Sequence, residues 1–454
     1  MKNHWKNKWQ SIVAVYTDRI FSNGLKVSVQ QALPFWVASL FTGLIAVGYT
    51  KLFSLAEYSL HHLLRSHYWL IFLMAPICFV AAWAVVQYFA PGARGSGIPQ
   101  VMAAIDLATP KHEHAIKKLL SLRIILTKIA SSLLMVLGGG AIGREGPTIQ
   151  IAGSVFRLVN QWIPATWAKL SRQSFILTGA AAGLAAAFNT PLGGVVFAME
   201  ELARIHIRFF RTALFSAVII AGLTAQGLLG PYLYLGYPNV QGLAFPIFLG
   251  VIVTAIATGF LGSLMGAGIL RIMKWKSRFP KGRMIFFVIG AGLVVAGLAY
   301  WLNPDVLGSG KDLMNQTLFT TDKEVSPSTV LLRIIGPIIA FNTGAAGGVF
   351  APSLAAGASV GALVASTFQA TEASANILIL SGMVGFLTGI TRTPFTSAIL
   401  VLEMTDRHSV IFHLLVAALI SNLAALLVDK HSFYEKLKKG YVEEVLQEET
   451  KGAS

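Results

Sequence analysis

The chain has 454 residues, of which 55% are hydrophobic and only 12% charged. A soluble domain carries about 25% charged residues, so this composition excludes a set of soluble domains and predicts a polytopic membrane protein. The net charge is +16, but the basic residues lie between apolar segments, which argues against nucleic-acid binding. The single cysteine, Cys78, excludes intrachain disulfides and cysteine-based metal sites.

Residues 1–30 form a polar and basic N-terminal segment that includes Trp5 and Trp9. The segment has no short apolar core followed by a small-residue cleavage site, so it is not a secretory signal. Basic residues mixed with aromatic and aliphatic ones are typical of a helix in the membrane interface. We expect a cytoplasmic amphipathic helix here; a disordered basic tail is the alternative.

Ten long apolar segments follow, and many are interrupted by glycine or proline. A membrane crossing takes about 20 apolar residues, and several segments are longer or shorter than that. Broken helices at membrane depth are tolerated only where they line a cavity or are buried in protein, so the pattern indicates a transporter or channel. The segments are 33–55, 68–90, 119–137, 175–199, 213–235, 245–270, 284–302, 330–341, 377–404 and 410–428.

The distribution of lysine and arginine predicts the orientation of the chain. Basic clusters lie at the N-terminus, at Arg204, Arg208 and Arg211, at residues 274–283 and at residues 430–439. Such clusters mark cytoplasmic loops. The connections at residues 231–243 and 303–327 lack this excess and are placed outside, so both termini are expected to be cytoplasmic.

An internal repeat divides the chain. Residues 143–155 align without gaps with residues 348–360, and residues 177–200 align with residues 380–403. The two offsets nearly agree, so one duplication explains both. Three arginines follow the first copy, whereas only Asp406 and Arg407 follow the second, and this asymmetry suggests opposite orientations. Inverted repeats place the substrate site at their interface. We predict a first membrane repeat at 31–236, a second at 237–434, and a short cytoplasmic tail at 435–454.

Three motifs share one design: GSGIP at 95–99, GREGP at 143–147 and GGVFAP at 347–352. Small residues followed by proline and an apolar run indicate a helix N-terminus, which can bind an anion without a full positive charge. Any one motif could be an ordinary helix break. Together they predict an anion site built by Gly95, Gly97, Pro99, Gly143, Arg144, Gly146, Pro147, Gly347, Gly348 and Pro352.

In this order and at these separations, the motifs resemble the three signatures of the CLC family of chloride channels and chloride/proton exchangers. The resemblance extends to PDVLGSGK at 304–311, to FTSAILVLEMTD at 395–406 and to Tyr434. It implies an all-α fold of tilted, partly broken helices in two inverted repeats, and a homodimer. Because the C-terminal regulatory domains of eukaryotic members are missing, we expect a prokaryotic-type protein in a bacterial inner membrane.

The resemblance also implies which groups bind the anion. Chloride would be held by the hydroxyl groups of Ser96 and Tyr434 and by the backbone N–H groups of Val349 and Phe350. Neutral donors suit rapid passage, because binding must allow both entrance and exit. From the sequence alone, Ser96 could be a small residue in a tight turn, and Tyr434 could be an interfacial anchor.

Glu145 is the strongest single candidate for a functional side chain. A carboxylate in the first turn of a helix complements the helix dipole, and that is the plain alternative. An intramembrane carboxylate is nevertheless a functional candidate by default. In the resembled family this glutamate is the external gate and proton acceptor: it occupies a chloride position as a tethered anion and leaves when protonated.

The alignment of the two repeats distinguishes the adjacent residues Glu200 and Glu201. Glu200 aligns with Glu403, which suggests a scaffold role in both halves, whereas Glu201 aligns with Met404. A surface ion pair is the alternative role for Glu201. In the family, the second glutamate of this pair is the internal proton acceptor of exchangers, so Glu201 is predicted to transfer protons.

The sequence therefore predicts a secondary active chloride/proton antiporter that works in the lipid bilayer with no cofactor and no metal. His112 and His114 lack the ligand framework of a metal site, and no enzymatic constellation is present. The alternatives are a passive voltage- or pH-gated chloride channel of the same fold, which Glu201 disfavours, and a transporter of nitrate or fluoride. Nitrate-preferring relatives tend to have proline at the position of Ser96.

Overall fold

The described residues fold mainly into α-helices, as the resemblance to the CLC family implies. The computed structural model describes residues 23–109, 112–164, 167, 171–202, 210–230, 233–241, 246–321 and 323–453. Their α-helices are α1 (Asn23–Ser66), α2 (Ile71–Phe89), α3 (Ile98–Asp106), α4 (Glu113–Leu119), α5 (Leu122–Leu137), α6 (Glu145–Trp162), α7 (Arg172–Phe188), α8 (Pro191–Phe197), α9 (Arg211–Leu229), α10 (Ile247–Lys276), α11 (Lys281–Trp301), α12 (Lys311–Phe319), α13 (Pro327–Asn342), α14 (Phe350–Thr367), α15 (Glu372–Thr391), α16 (Pro394–Thr405), α17 (Ile411–Leu426) and α18 (Phe433–Ala453). The predicted interfacial helix falls largely on residues 1–22, which lie outside the described residues, as do Arg204 and Arg208.

The membrane character of the chain is confirmed by its helices. Within the described residues, nine helical spans are long and apolar enough to cross a membrane. Large apolar side chains on these spans are exposed, as at Phe286 (76%) and Phe412 (71%). Such side chains would be unfavourable in water but suit a lipid surface, so the protein crosses the membrane several times.

Two of the longest apolar segments are broken, for a local reason that recurs in both halves. Asn189 directly follows helix α7 and Arg392 directly follows helix α15, and both residues have positive φ angles, of 58° and 64°. A left-handed residue closes a helix. The proline that follows, Pro191 or Pro394, then starts the next helix, because proline favours the first helical turn.

The two halves of the chain repeat the same packing. In the first half α6 packs on α7, and α7 packs on α1 and α9. In the second half α14 packs on α15, and α15 packs on α10 and α17. Since α1 corresponds to α10 and α9 to α17 in chain order, the duplicated sequence has produced a duplicated structure.

Helices α8 and α16 cap each other through two glutamates. Glu403, near the end of α16, accepts hydrogen bonds from the backbone N–H groups of Leu192 (3.0 Å) and Gly193 (2.6 Å) at the start of α8. Glu200, just beyond α8, accepts them from Phe395 (3.1 Å) and Thr396 (2.6 Å) at the start of α16. Each carboxylate reaches the opposite helix start, so the helices are antiparallel. The inverted orientation of the repeats is thereby confirmed.

The last segment is more ordered than a tail. Residues 435–453 continue helix α18, which starts at Phe433 and packs on α3 and α4. Ion pairs join it to those elements: Lys438 to Asp106 (2.9 Å) and Lys118 to Glu448 (2.5 Å). The boundary placed after residue 434 therefore falls inside the first turn of a helix.

Candidate functional site

The three predicted motifs meet at the centre of the fold. They precede the N-termini of α3, α6 and α14, and backbone hydrogen bonds join them directly. Gly95 donates to Ala345 (2.9 Å) and accepts from Gly347 (3.0 Å), which pairs the first motif with the third. Gly143 and Gly348 exchange two hydrogen bonds of 2.8 and 2.7 Å, which pair the second with the third. The structure thus brings three helix N-termini to one place.

Glycine is required where these helix starts touch. Gly97 has a φ of 108°, a left-handed conformation that other residues rarely adopt, and a Cβ atom there would approach the Gly146 carbonyl oxygen to 2.8 Å. A Cβ atom on Gly146 would in turn collide with the Ser96 hydroxyl group. The close contact between the first and second motifs therefore depends on residues without side chains. Pro99, Pro147 and Pro352 lie in the first turns of α3, α6 and α14, as predicted.

Ser96 and Tyr434 supply two buried hydroxyl groups to this centre. The side chains are 1% and 0% exposed, and the Tyr434 hydroxyl lies opposite Ser96. Among the described residues, neither hydroxyl has a partner within normal hydrogen-bond geometry. Buried polar groups are nearly always hydrogen-bonded, so two convergent donors of this kind fit a ligand that accepts hydrogen bonds.

The N-terminus of α14 faces the same centre. Val349 precedes the helix and Phe350 is its first residue, and both are 1% exposed. The first N–H groups of a helix have no acceptor within the helix. The Phe350 ring contacts those of Tyr434 and Phe197, with centroids 6.1 and 6.4 Å apart. This packing fixes the backbone donors relative to the Tyr434 hydroxyl.

Glu145 begins α6 and is only 1% exposed. Its carboxylate lies beside Gly143, and the backbone N–H of Ala351 in the first turn of α14 is directed to it. An acidic side chain therefore occupies the end of a neighbouring helix where a free anion would be stabilised. The adjacent Arg144 turns its guanidinium to the Thr50 carbonyl oxygen (3.4 Å) and is not among the groups that contact the carboxylate directly.

Glu201 lies in the π-helical turn Ala198–Leu202 that follows α8, and it is partly buried. It is within electrostatic range of the Tyr434 hydroxyl, as is Glu145. The two carboxylates therefore share Tyr434 as a neighbour. Glu200, by contrast, is committed to the N-terminus of α16, where it also accepts a hydrogen bond from the Thr396 hydroxyl (2.7 Å).

Two buried polar side chains were missed from the sequence, one bonded to the first motif and one to the turn that precedes it. Lys128 is fully buried and donates to the carbonyl oxygens of Ala93 (2.7 Å) and Gly95 (2.8 Å). The amide of Gln150 on α6 donates to Gly92 (3.0 Å). A lone lysine inside an apolar segment was a usable signal, because such a residue needs a buried partner.

Tyr234 and Lys311 at the edge of the site were missed as well. The Tyr234 hydroxyl donates to Glu145 Oε1 at 3.5 Å, and Lys311 Nζ lies 4.7 Å from the Tyr234 ring centroid. Tyr234 belongs to a connection without a motif, so no sequence signal identified it. Lys311 ends the PDVLGSGK segment but had no assigned role.

His112 contacts the C-terminal helix α18. Its Nδ1 atom lies 2.8 Å from Glu449 Oε2, an ion pair that connects α18 to the start of α4. Within the part of the chain that the structure describes, no group of three or more histidine, cysteine or acidic side chains could hold a metal ion.

The chain is similar to known membrane transport proteins over most of its length. The family model described as voltage-gated chloride channel matches residues 77–426. An H(+)/Cl(-) exchange transporter, ClcA, from Citrobacter koseri is 30% identical over 374 residues, which cover 78% of this chain and 75% of the relative. ClcA from Salmonella newport is 29% identical over 374 residues, which cover 78% of this chain and 75% of that relative.

Solved structures support the same fold. The structure of a slow cyanobacterial Cl-/H+ antiporter has a TM-score of 0.79 and 24% identity, and the match covers 91% of this chain and 98% of that one. A CLC-type fluoride/proton antiporter has a TM-score of 0.75 and 21% identity with the same coverage. At these identities the likeness establishes the architecture of tilted, broken helices.

Proposed function

The chain belongs to the voltage-gated chloride channel (CLC) family, and from that membership we propose that it is a secondary active antiporter that exchanges chloride for protons. One observation carries the proposal. The Glu145 carboxylate reaches the N-terminus of α14, beside the centre where Ser96, Tyr434 and Phe350 converge. A proton acceptor and an anion cradle therefore share the same helix end, which is what coupled exchange requires.

Chloride is held in this proposal by neutral donors. The Ser96 and Tyr434 hydroxyl groups and the N–H groups of Val349 and Phe350 donate to it, and the dipoles of the helices that begin there add positive potential. No lysine or arginine side chain is needed in contact with the ion. Weak but convergent donors keep the ion bound without preventing its exit.

Glu145 couples the two ions by competition. When ionised, its carboxylate takes the donors of α14 and excludes chloride from that position. When protonated, it loses its charge and most of its attraction to the helix end, so chloride can replace it. Each release and return of the side chain carries one proton in one direction while chloride moves in the other.

Protons reach the other side of the membrane through Glu201 in this proposal. A proton cannot cross apolar protein without titratable groups or water, and Glu201 is a partly buried carboxylate within electrostatic range of Tyr434. Glu200 cannot take this role without uncapping α16. The two adjacent glutamates thus divide into a proton carrier and a scaffold.

The location and assembly follow from the same premise. We place the protein in a bacterial inner membrane as a homodimer, with α18 and both termini on the cytoplasmic side. The basic residues of the α10–α11 connection support this orientation, since lysine and arginine concentrate in cytoplasmic loops. Chloride and protons are its only proposed transported partners.

A passive chloride channel and a transporter of fluoride or nitrate are the competing functions. A channel does not need an internal proton acceptor, and Glu201 therefore favours exchange. The structural likeness to a fluoride/proton antiporter concerns the fold alone. Nitrate-preferring relatives tend to have proline at the position of Ser96, so the serine hydroxyl favours chloride over nitrate.

A reversal-potential measurement distinguishes these functions. Purified protein would be reconstituted into planar bilayers with opposed chloride and proton gradients. An antiporter gives a reversal potential between the chloride and proton equilibrium values, and the potential moves when only the pH gradient is changed. A reversal potential that equals the chloride value at every pH gradient would establish a channel and refute the proposal.

A further inference from the structure

Residues 233–241, the described part of the connection between the two repeats, include a tyrosine that contacts Glu145. Tyr234 in this connection is 4% exposed, and its hydroxyl donates to Glu145 Oε1 at 3.5 Å. The next residue, Leu235, donates its backbone N–H to the Met404 carbonyl oxygen (3.1 Å) in α16. The Tyr234 ring also packs edge-on against Phe188, with centroids 5.0 Å apart. Tertiary contacts to both repeats therefore fix the position of the phenol.

Two cations lie near the Tyr234 ring. Lys311 Nζ is 4.7 Å from the ring centroid, and Arg144 Cζ is 6.0 Å from it. Cations at this distance are attracted to the ring. Their positive field also draws electron density from the phenol oxygen, which makes the hydroxyl a better hydrogen-bond donor to a carboxylate.

We propose that Tyr234 is a positioning residue for the Glu145 gate. Its hydroxyl holds the Glu145 carboxylate in the anion site while the carboxylate is ionised and releases it when the carboxylate is protonated. The inference rests on the gating role of Glu145 in the proposed function. A hydrogen bond to an ionised acceptor is about twice as strong as one to a neutral acceptor. The Tyr234 hydroxyl therefore stabilises the closed, ionised gate more than the open, protonated one, and it sets the pH at which the gate opens.

The carboxylate has other charged and titratable neighbours, and a test must leave them in place. Tyr234→Phe does so, because it removes one oxygen and keeps the ring with its contacts to Lys311 and Phe188. Among the described residues, the other groups that act electrostatically on Glu145 include Arg144, Glu57, Lys311, Tyr49 and Tyr434.

The experiment measures chloride flux and coupled proton flux in liposomes between pH 4 and 8 for wild type, Tyr234→Phe and Tyr237→Phe. Tyr237 is the matched control, since it lies three residues away and is 61% exposed. Loss of the hydrogen bond should let Glu145 protonate at a higher pH. We expect the half-activation pH of Tyr234→Phe to rise by about 0.5 unit, or about threefold in proton affinity, while Tyr237→Phe matches wild type.

A second pair of variants separates gating from structure. In the Glu145→Ala background there is no carboxylate to hold, so adding Tyr234→Phe should leave flux unchanged at every pH. An unshifted pH profile in the single variant, an equal effect of Tyr234→Phe with and without Glu145, or a failure of Tyr234→Phe to fold would each overturn the inference. If wild type itself showed no proton coupling, the proposed antiporter function would be wrong, rather than the role of Tyr234 alone. The same flux measurements therefore distinguish the failure of the inference from the failure of the proposed function.

Discussion

Asp106 and Lys438 form a 2.9 Å ion pair between the last residue of α3 and the second turn of α18. The pair matters for the site because Ser96 precedes α3 and Tyr434 lies at the start of α18. The Lys438 side chain is only 5% exposed in this contact. The ion pair therefore joins the two helices that start beside the hydroxyl groups of the anion site.

Asp106→Asn should weaken chloride binding by roughly threefold, because the two hydroxyl-bearing segments lose a common anchor. The affinity can be measured by calorimetric titration with chloride. The double variant Asp106→Lys with Lys438→Asp restores an opposite-charge pair and should recover part of the affinity. Glu435→Gln removes an exposed pair with Lys439 on the same helix and should have little effect. An equal loss of chloride affinity in Asp106→Asn and Glu435→Gln would contradict the anchoring role of the Asp106–Lys438 pair.

Glu145→Ala and Glu145→Gln should both move chloride without protons. The alanine variant has no tethered anion to leave or return, and the glutamine variant mimics a permanently protonated gate. The reversal potential should shift to the chloride equilibrium value in both variants, in the same bilayer assay as for wild type. Full proton coupling in either variant would show that Glu145 is not the gate.

Ser96→Pro should shift anion preference from chloride towards nitrate, with better proton coupling to nitrate. The substitution removes one hydroxyl donor, and such a hydrogen bond contributes about 1 kcal/mol, so the shift should be partial. Relative permeability in an anion-substitution assay measures it. Ser96→Ala is the matched control: it removes the hydroxyl with less backbone restriction, so it should weaken chloride binding. Unchanged permeability ratios in both variants would exclude Ser96 as a ligand.

Glu201→Gln should stop proton flux while chloride still passes, because the proton route loses its titratable group. Glu200→Gln should keep the transport stoichiometry but lower thermal stability, since a neutral amide is a weaker cap for α16 than a carboxylate. Proton uptake and chloride efflux would be followed together in liposomes, and melting temperature in detergent. Proton pumping that survives in Glu201→Gln and is lost in Glu200→Gln would reverse the two assignments.

Docking of the end of α18 should depend on pH through Glu449. The hydrogen bond from His112 holds the pKa of the Glu449 carboxyl below its usual range. A depressed carboxyl pKa adds stability above the unfolded-state value, which is about 4.3 for glutamate, and that stability is lost as the pH falls through the folded-state value. Hydrogen exchange in residues 445–453 should therefore increase below about pH 4. Glu449→Gln should exchange faster already at pH 6, and identical exchange in both proteins would contradict the contact.

The helix starts at the anion site are a local property of the sequence, as are the membrane class and the repeat. Pro99, Pro147 and Pro352 lie in the first turns of their helices, where proline is tolerated for a steric reason that depends only on neighbouring residues. The breaks after Asn189 and Arg392 are equally local. The sequence alignment of the repeats matched Glu200 with Glu403 and so predicted a scaffold role for both glutamates. Equivalent positions of a duplicated sequence can keep the same structural role.

Which groups meet was decided by tertiary packing. The sequence could not show that Glu200 and Glu403 exchange helix caps, that Lys128 holds the Gly95 loop, or that Tyr234 reaches Glu145 from a connection without a motif. Each contact joins residues far apart in the chain, and its distance depends on how several helices pack together. Local conformational preference extends over only a few residues, whereas the positions of donors around an anion are set by the whole fold.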